Sequence, residues 1–504
     1  MRQRDFMWEL ELDRVCDTPL QLQIFQYYYQ AITRGNYVCG DMLPSIRKLA
    51  GKLQVARITV VLAYEKLVIG GYIKSRPGIG YQVVFDRQVK PVRHIPSYFK
   101  GPAPTRLLTA EVPGDLYSQP TSELYCRMSI PDPNAFPWAS WRKWNNSPSC
   151  LKEQLVTRYH SPHGLLPLRQ EIARYLHLSR SIEIRPENII ITNGVQEGLS
   201  LLSQLFVLKR TTSSHIPCHI VTESPCYSGA WHLFNYYGAQ VTTLDVDKQG
   251  MCVSHLPERS TQLCYVTPSH QYPLGSQLSL SRRKTLLLWA QRVGAYVIED
   301  DYDAVFSWGQ KPLPPLKAMD SQDRVIYAGT FSKTLGPGIR LGYLVCPDAI
   351  LPSVQNMKAL SNSGSNWLLQ QFLAEFMHSQ VFYTHLSKLT CEYEMRQTLL
   401  RKGLKRLFPE GQLWGHAAGL HLTLITSMTD DVIQRLRQRC LQAGVRFDTL
   451  RELENGSETT WRAGGHSSPI FFGFGNLNSQ QLKKVLLVIE QQLLYLDQEH
   501  GSLY

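Results

Sequence analysis

The chain is 504 residues long, beyond the size at which one hydrophobic core keeps growing, so two or more domains are expected. A composition of 43% apolar and 19% charged residues excludes a disordered chain, and no apolar run approaches membrane-spanning length. Fifty-three basic against 41 acidic residues leave a net charge of +12, which suits an anionic partner without requiring one.

The eleven cysteines run from Cys16 to Cys440 with no C-x-x-C pair, so no zinc ribbon or dithiol redox motif is readable, and isolated thiols fit a reducing cytoplasm. The opening "MRQRDFMWELELDR" mixes both charge signs among its apolar residues, unlike a secretory leader.

Residues 1–85 read as a small helical domain ending in a hairpin. The run "LQLQIFQYYYQAITRG" has apolar residues at helical spacing and stops at Gly35. Two short helical patterns follow, one with Leu49, Ala50 and Leu53 on one side and one with Val60, Val61, Tyr64 and Leu67. Joined by the few residues "LQVA", they predict a helix-turn-helix. "GYIKSRPGIGYQVVF" places Arg-Pro-Gly between two β-rich runs, as a wing would. A second helix that enters a major groove needs cations and hydroxyls at its start, where Arg57 and Thr59 stand. Arg47 on the preceding helix and Lys74 and Arg76 on the wing complete the candidate DNA contacts, since guanidinium groups bind phosphate or guanine edges bidentately.

Residues 86–126 are proline-rich, lack a sustained period and predict an extended linker. From 127 to 504 apolar β-rich runs alternate with helical patterns, which predicts an α/β domain with a mostly parallel sheet covered on both faces. A smaller α+β region begins near residue 380.

Within that domain "YAGTFSKTLGPGIRLGY" puts Lys333 just past a buried strand, and "AYVIED" ends on Asp300 at the same carboxyl edge, where ligands of α/β sheets bind. Pyridoxal phosphate chemistry needs a lysine for a Schiff base, a carboxylate for the pyridine nitrogen, donors and a cation for the phosphate, and a packing face for the ring. "TNGVQEGL" opens a helix whose first amides, on Val195 and Gln196, would point at an anion. Arg340 brings a fixed charge, Thr330 and Ser332 bring hydroxyls, Tyr227 a stacking ring and Tyr302 a phenol near the cofactor's oxygen. Taken alone, Asp300 with Asp301 and Asp303 reads equally as a solvated turn or a metal cluster, and the two tyrosines as core aromatics. No metal site is otherwise expected.

The first 85 residues resemble the GntR-type winged helix-turn-helix through "PLQLQ", "GDMLPSIRKLA" and "VARITVVLAYEKL". In the last of these, Ala56 stands where the family has a serine. The large domain resembles the fold-type-I aminotransferases through "FPWASWRK", "YHSPHGLLPLR", "TNGVQEGL", "VTPSHQYPLG", "VIEDDYDAVF" and "YAGTFSKTLGPGIRLGY". Joined, the two resemble the MocR (GabR-like) transcriptional regulators. The resemblance implies that Lys333 is the Schiff-base lysine, Asp300 the pyridine partner, Tyr302 the O3′ partner and Arg340 the phosphate arginine. It implies that Tyr159 reaches the phosphate of a neighbouring subunit in a head-to-tail homodimer.

Two departures matter. "HQYPLG" replaces the aminotransferase "NPTG", bringing His270 or Gln271 toward the ring. In "SPIFFGFGNL", Phe471 takes the place of the arginine that in many relatives grips a substrate α-carboxylate, which disfavours ordinary amino-acid transamination unless Arg462 or Arg446 substitutes. The expected function is a DNA-binding regulator that senses pyridoxal phosphate, alone or with an amine effector. The alternative is a working aminotransferase with an accessory reader.

Overall fold

The computed structural model describes residues 10–14, 16, 18–85, 124–147, 157–208, 217–303, 305–309, 312–415, 418–453 and 469–500. The chain divides into two compact units.

The first unit has helices α1 (Leu20–Arg34), α2 (Ile46–Leu53) and α3 (Arg57–Ile69), then strands β1 (Ile73–Arg76) and β2 (Gly80–Val83) in an antiparallel hairpin. Gly35 ends α1 in the left-handed region at φ 87°, which a residue without a Cβ adopts at little cost. Ser45 caps α2 by accepting from the Lys48 amide at 3.2 Å. Ile24, Tyr28, Leu49, Val60, Tyr64 and Leu67 make one buried core. Val61, expected on that face, is only half-buried, and Ala63 is buried instead. The Tyr64 hydroxyl donates to the Pro44 carbonyl at 2.9 Å and ties α3 to the turn before α2.

The second unit begins, among the described residues, with β3 (Leu124–Tyr125). These residues fell at the end of the expected linker, yet they pair with a strand more than 300 residues downstream, because backbone beside a buried core must find hydrogen-bond partners. The rest of that linker, 86–123, lies outside the described residues.

The main sheet contains β4 (Ile189–Thr192), β5 (His219–Ser224), β6 (Gln240–Asp247), β7 (Gly250–Met251), β8 (Leu263–Val266), β9 (Tyr296–Asp300), β10 (Val325–Thr330) and β11 (Gly342–Val345). Its order is β4-β11-β10-β9-β8-β5-β6-β7, with β11 and β7 antiparallel to the rest. Alternate side chains serve opposite faces. Ile190, Ile326, Ala328 and Leu344 pack with Leu199, Leu202 and Phe234 of the helices Val195–Ser203 and Ser228–Tyr236. Ile189, Ile191, Tyr327 and Val345 pack instead with Leu168, Ile172 and Phe372 of the helices Leu166–Arg180 and Trp367–His378.

The smaller region is an antiparallel sheet of β12 (Gln412–Trp414), β13 (His421–Ile425), β15 (Asp448–Thr449) and β16 (Ile470–Gly473), while β14 (Val445–Arg446) pairs with β3. Ile470 and Phe472 face a core built with the helices Gln380–Leu407, Asp430–Gln442 and Ser479–His500. The intervening Phe471 faces the other way. Among the described residues no helix is long and apolar enough to cross a membrane.

Candidate cofactor site and DNA reader

Parallel β4, β9 and β10 end on one edge of the sheet, at Thr192, Asp300 and Thr330. Gly342 of β11 pairs with Thr330 on one side and Thr192 on the other, so the hydroxyl turn after β10 and the helix start after β4 become neighbours. A Cβ on Gly342 would meet Gly194 Cα at 3.0 Å, a separation only glycine maintains without displacement.

Around this edge the candidates assemble. Asp300 is buried, and its Oδ2 accepts from the Tyr265 hydroxyl at 2.7 Å while Oδ1 has no protein partner. Burial pushes its carboxyl up to about 7, against the pull of the Tyr265 hydrogen bond and the Lys333 charge. Lys333 Nζ donates to the Ser129 carbonyl at 2.7 Å and stands 6.0 Å from the centre of the Tyr302 ring. Burial lowers the pKa of this lysine, with Asp303 and Asp300 opposing, which favours the nucleophilic free amine.

The helix carrying Val195 and Gln196 starts at Gly194, whose φ is 87°. Arg340, itself in the left-handed region at φ 49°, donates to the Asn193 carbonyl at 2.6 Å and lies against Gly194. The Thr330 hydroxyl donates to Ser332 Oγ at 3.0 Å, and the Ser332 amide donates to Thr330 Oγ1 at 3.1 Å. Amides at a helix start, two hydroxyls and a guanidinium are the kinds of donor that a phosphate needs.

Gln196 also donates to the Gly229 carbonyl at 3.0 Å. A Cβ on Gly229 would lie 2.6 Å from the Tyr227 ring and 2.7 Å from Gln196 Oε1, so this glycine lets Tyr227 and Gln196 approach one another. Tyr227 packs edge-on to Tyr272 at 6.0 Å, and Tyr272 packs edge-on to Tyr302 at 5.9 Å.

The Tyr302 hydroxyl lies 3.2 Å from His270 Nδ1, and that nitrogen lies 2.9 Å from Asp303 Oδ2. His270 therefore reaches the predicted O3′ tyrosine. Gln271, the other candidate from "HQYPLG", is spent on structure: its amide donates to the Pro225 and Tyr272 carbonyls, both at 2.8 Å, and its oxygen accepts from the Leu274 amide.

The acidic run after β9 is neither solvated nor a single cluster. Glu299 accepts from the Leu316 and Lys317 amides, both at 2.8 Å. Asp301 pairs with buried Arg180 at 2.7 Å, and Asp303 with His270. Asp300 and Asp301 each keep one oxygen without a partner, but Asp301 is already paired with Arg180, so Asp300 is the acid left without an ion pair or an amide donor. His270, Asp303 and His421 nevertheless bring buried ligand-type atoms within 4.8 Å of one another, a grouping of a kind that could hold a metal ion and that the sequence reading did not anticipate.

Tyr159 is 91% exposed, so its ring is scarcely covered by this chain. Phe471 is fully buried with Met128, Leu274, Trp414 and Leu450, so an apolar side chain fills the position that the resemblance gives to an arginine. Arg446 stacks over Tyr125 at 4.5 Å and lies 3.8 Å from Asp448, which commits it elsewhere; Arg462 lies outside the described residues. Tyr265 and Ser129 were missed from sequence. Tyr265 could have been found as a polar-tipped residue inside the apolar run "LCYV", whereas a backbone carbonyl leaves no signal.

On the reader, Arg47, Arg57, Lys74 and Arg76 are exposed and Thr59 is half-buried. Arg57 and Thr59 occupy the first turn of α3, and no acidic residue stands there to oppose phosphate. Ala56 precedes α3 with no side-chain cap. Arg76 also donates to Gln82 at 3.2 Å across the hairpin.

Residues 20–83 match the family model for bacterial regulatory proteins of the gntR family, and residues 129–448 match that for aminotransferase class I and II. The chain is 32% identical to the HTH-type pyridoxine biosynthesis transcriptional regulator PdxR of Corynebacterium glutamicum, covering 94% of this chain and 95% of the relative. It is 30% identical to the probable rhizopine catabolism regulatory protein MocR of Rhizobium meliloti, covering 88% of each. Among solved structures, a kynurenine aminotransferase from Pyrococcus horikoshii superimposes with a TM-score of 0.65 at 23% identity, covering 76% of this chain and 93% of that one, a likeness of fold. A gntR-type reader, an aminotransferase-like domain and these full-length likenesses together place the chain in the MocR-type subfamily of GntR transcriptional regulators, with a large domain that binds pyridoxal phosphate.

Proposed function

We propose that the protein is a cytoplasmic transcription factor that binds an operator as a head-to-tail homodimer and reports the supply of pyridoxal phosphate, alone or with an amine effector. The reader would span 1–85 and the sensor 127–504. The observation that carries this reading is Asp300: a buried carboxylate with one unpartnered oxygen and no ion pair, on the same sheet edge as a lysine whose pKa burial lowers. A protonated pyridine nitrogen would supply the missing donor and the counter-charge together. When bound, the cofactor supplies an aldehyde that condenses with primary amines and a ring that withdraws electrons.

This chain's residues would then divide the work. Lys333 anchors the aldehyde end. Asp300 holds the ring nitrogen protonated, and Tyr302, steadied by His270, faces the phenolic oxygen. Val195, Gln196, Thr330, Ser332 and Arg340 bind the phosphate, with Tyr159 of each chain serving its neighbour. Tyr227 covers the ring. Arg47, Arg57, Thr59, Lys74 and Arg76 contact DNA. Phe471 points to an effector without an α-carboxylate, or to the cofactor as the whole signal, and the likeness to a pyridoxine biosynthesis regulator supports the second. A ligand moves such a system only through different affinities for two arrangements of the readers.

The test is DNA binding by the wild-type protein and Lys333→Ala, using the DNA flanking its own coding region, with and without pyridoxal phosphate over a range of salt. Sequence-selective binding that changes with the cofactor in wild type and not in Lys333→Ala is expected. An identical cofactor response in both proteins sinks the sensor. Sustained exchange between an amino acid and a 2-oxo acid would favour the enzyme instead.

A further inference from the structure

His270 has a second nitrogen that the cofactor site does not use. Its Nδ1 meets Asp303 and Tyr302, whereas Nε2 has no partner although the residue is 97% buried by its 3% exposure. A Cβ on Gly275 would lie 3.2 Å from that nitrogen, and one on Gly415 3.6 Å. Both glycines line a cavity of about 560 Å³ between the main sheet's loops and the smaller region, and so does His270. Two more polar atoms on the same lining are buried without a partner, Arg180 Nε and Ser276 Oγ. Buried polar groups are normally satisfied, so three such atoms around one cavity point to a ligand.

The cavity is not the cofactor's. Lys333, Asp300, Tyr227, Thr330 and Arg340 are absent from its lining, and His270 is the residue the two sites share. Its size is that of a small-molecule site. Trp308 and Trp414 line it, Lys248 contributes positive charge, Arg180 is paired with Asp301 through another nitrogen than Nε, and no carboxylate stands among the described lining residues. With Nδ1 against the Asp303 carboxylate, Nε2 is left for another partner, accepting in the neutral ring and donating in the cation.

We infer that this cavity is a second ligand site, for a small aromatic or heteroaromatic anion that also carries a hydroxyl. The hydroxyl, a donor and an acceptor, pairs with His270 Nε2, the ring packs on the tryptophans, and the anionic group is taken by Lys248 and the Arg180 Nε–H. Because His270 also touches Tyr302, occupancy alters the environment of the cofactor without competing for its place. The site needs neither a particular operator nor a particular direction of regulation.

The experiment titrates the cofactor-loaded, full-length protein with 4-hydroxybenzoate, following tryptophan fluorescence, calorimetry and the cofactor's absorption band. Benzylamine is the cationic control. Two variants are compared, Lys248→Glu at an exposed position and Ser276→Leu, which intrudes on the cavity. Saturable binding to wild type is expected, with a shifted cofactor band and no response to benzylamine. Lys248→Glu weakens binding by about tenfold or more, the loss of one charge-assisted contact, while retaining the cofactor. The inference is overturned if 4-hydroxybenzoate does not saturate wild type. It is equally overturned if both variants bind as wild type does, or if added pyridoxal phosphate displaces the probe.

Discussion

Asp300→Asn isolates the cost of keeping a carboxylate ready for a cation. In the cofactor-free protein burial raises this carboxyl from 3.8 to about 7. The sign follows from proton counting: between these values the native state holds a proton that the unfolded chain has released, so stability falls as pH rises. Below pH 4 the two states agree and nothing is lost, and above pH 7 the loss is complete. With about 1.4 kcal/mol for each tenfold change in protonation, Asp300 costs about 2 kcal/mol at pH 5 and about 4 kcal/mol at pH 8. Asparagine retains an acceptor for Tyr265 but brings an amide into the same buried place, a penalty of about 1–3 kcal/mol that does not vary with pH. The variant's stability relative to wild type should therefore improve by about 3 kcal/mol from pH 5 to pH 8, whatever its absolute value. Groups far from Asp300 are common to both proteins and drop out of the comparison. Urea unfolding followed by tryptophan fluorescence reads the large unit, because all tryptophans except Trp8 belong to it. Saturating pyridoxal phosphate should abolish the pH-dependent difference in wild type and stabilise the variant much less. Parallel stability curves for the two cofactor-free proteins would refute the reasoning, since they would mean that Asp300 is ionised in the native state at pH 5.

Three other perturbations address separate links. Ala56 has the backbone of a cap, φ −63° and ψ 144°, almost that of Ser45, which does cap its helix. Ala56→Ser should stabilise α3 by about 1 kcal/mol and slow amide exchange in its first turns about fivefold where opening limits exchange; unchanged protection would show that the position gains no cap. Gly229→Ala should push Tyr227 and Gln196 apart and weaken cofactor binding at least several-fold while leaving DNA affinity in the absence of cofactor intact, as an equilibrium titration of the cofactor band would read; an unchanged affinity would remove Tyr227 from the site. Arg57→Ala should reduce the salt slope of operator binding by about one if the residue binds phosphate, whereas a loss confined to particular base substitutions would make it a base reader.

Much of the site was legible because its residues terminate strands. Lys333 and Asp300 each follow an apolar run, and parallel strands deliver their carboxyl ends to one edge whatever the intervening loops do. The same logic exposed Val195 and Gln196, which follow a strand and open a helix. Partners were not legible. Tyr265 lies 35 residues from Asp300, and Ser129 lies 204 residues from Lys333. Gly229 looked like an ordinary helix residue, and its importance comes from two side chains packed against it. His270 was read as a candidate beside the ring, but its bridge between Asp303 and Tyr302 depends on loops whose meeting no local pattern encodes.

The sequence by itself determined the winged reader, the alternation that makes a mostly parallel sheet, and the lysine at its edge. Hydrophobic period and turn chemistry act over a few residues, so one chain read in order is enough to reveal them. Only the tertiary structure decided which acid in "EDDYD" stays available. Each of these four carboxylates is buried, and a buried charge persists only where a partner meets it. Arg180, His270 and the amides of Leu316 and Lys317 reach three of them from elsewhere in the fold, which leaves Asp300 with the Tyr265 hydroxyl on one oxygen and neither an ion pair nor an amide donor for the other.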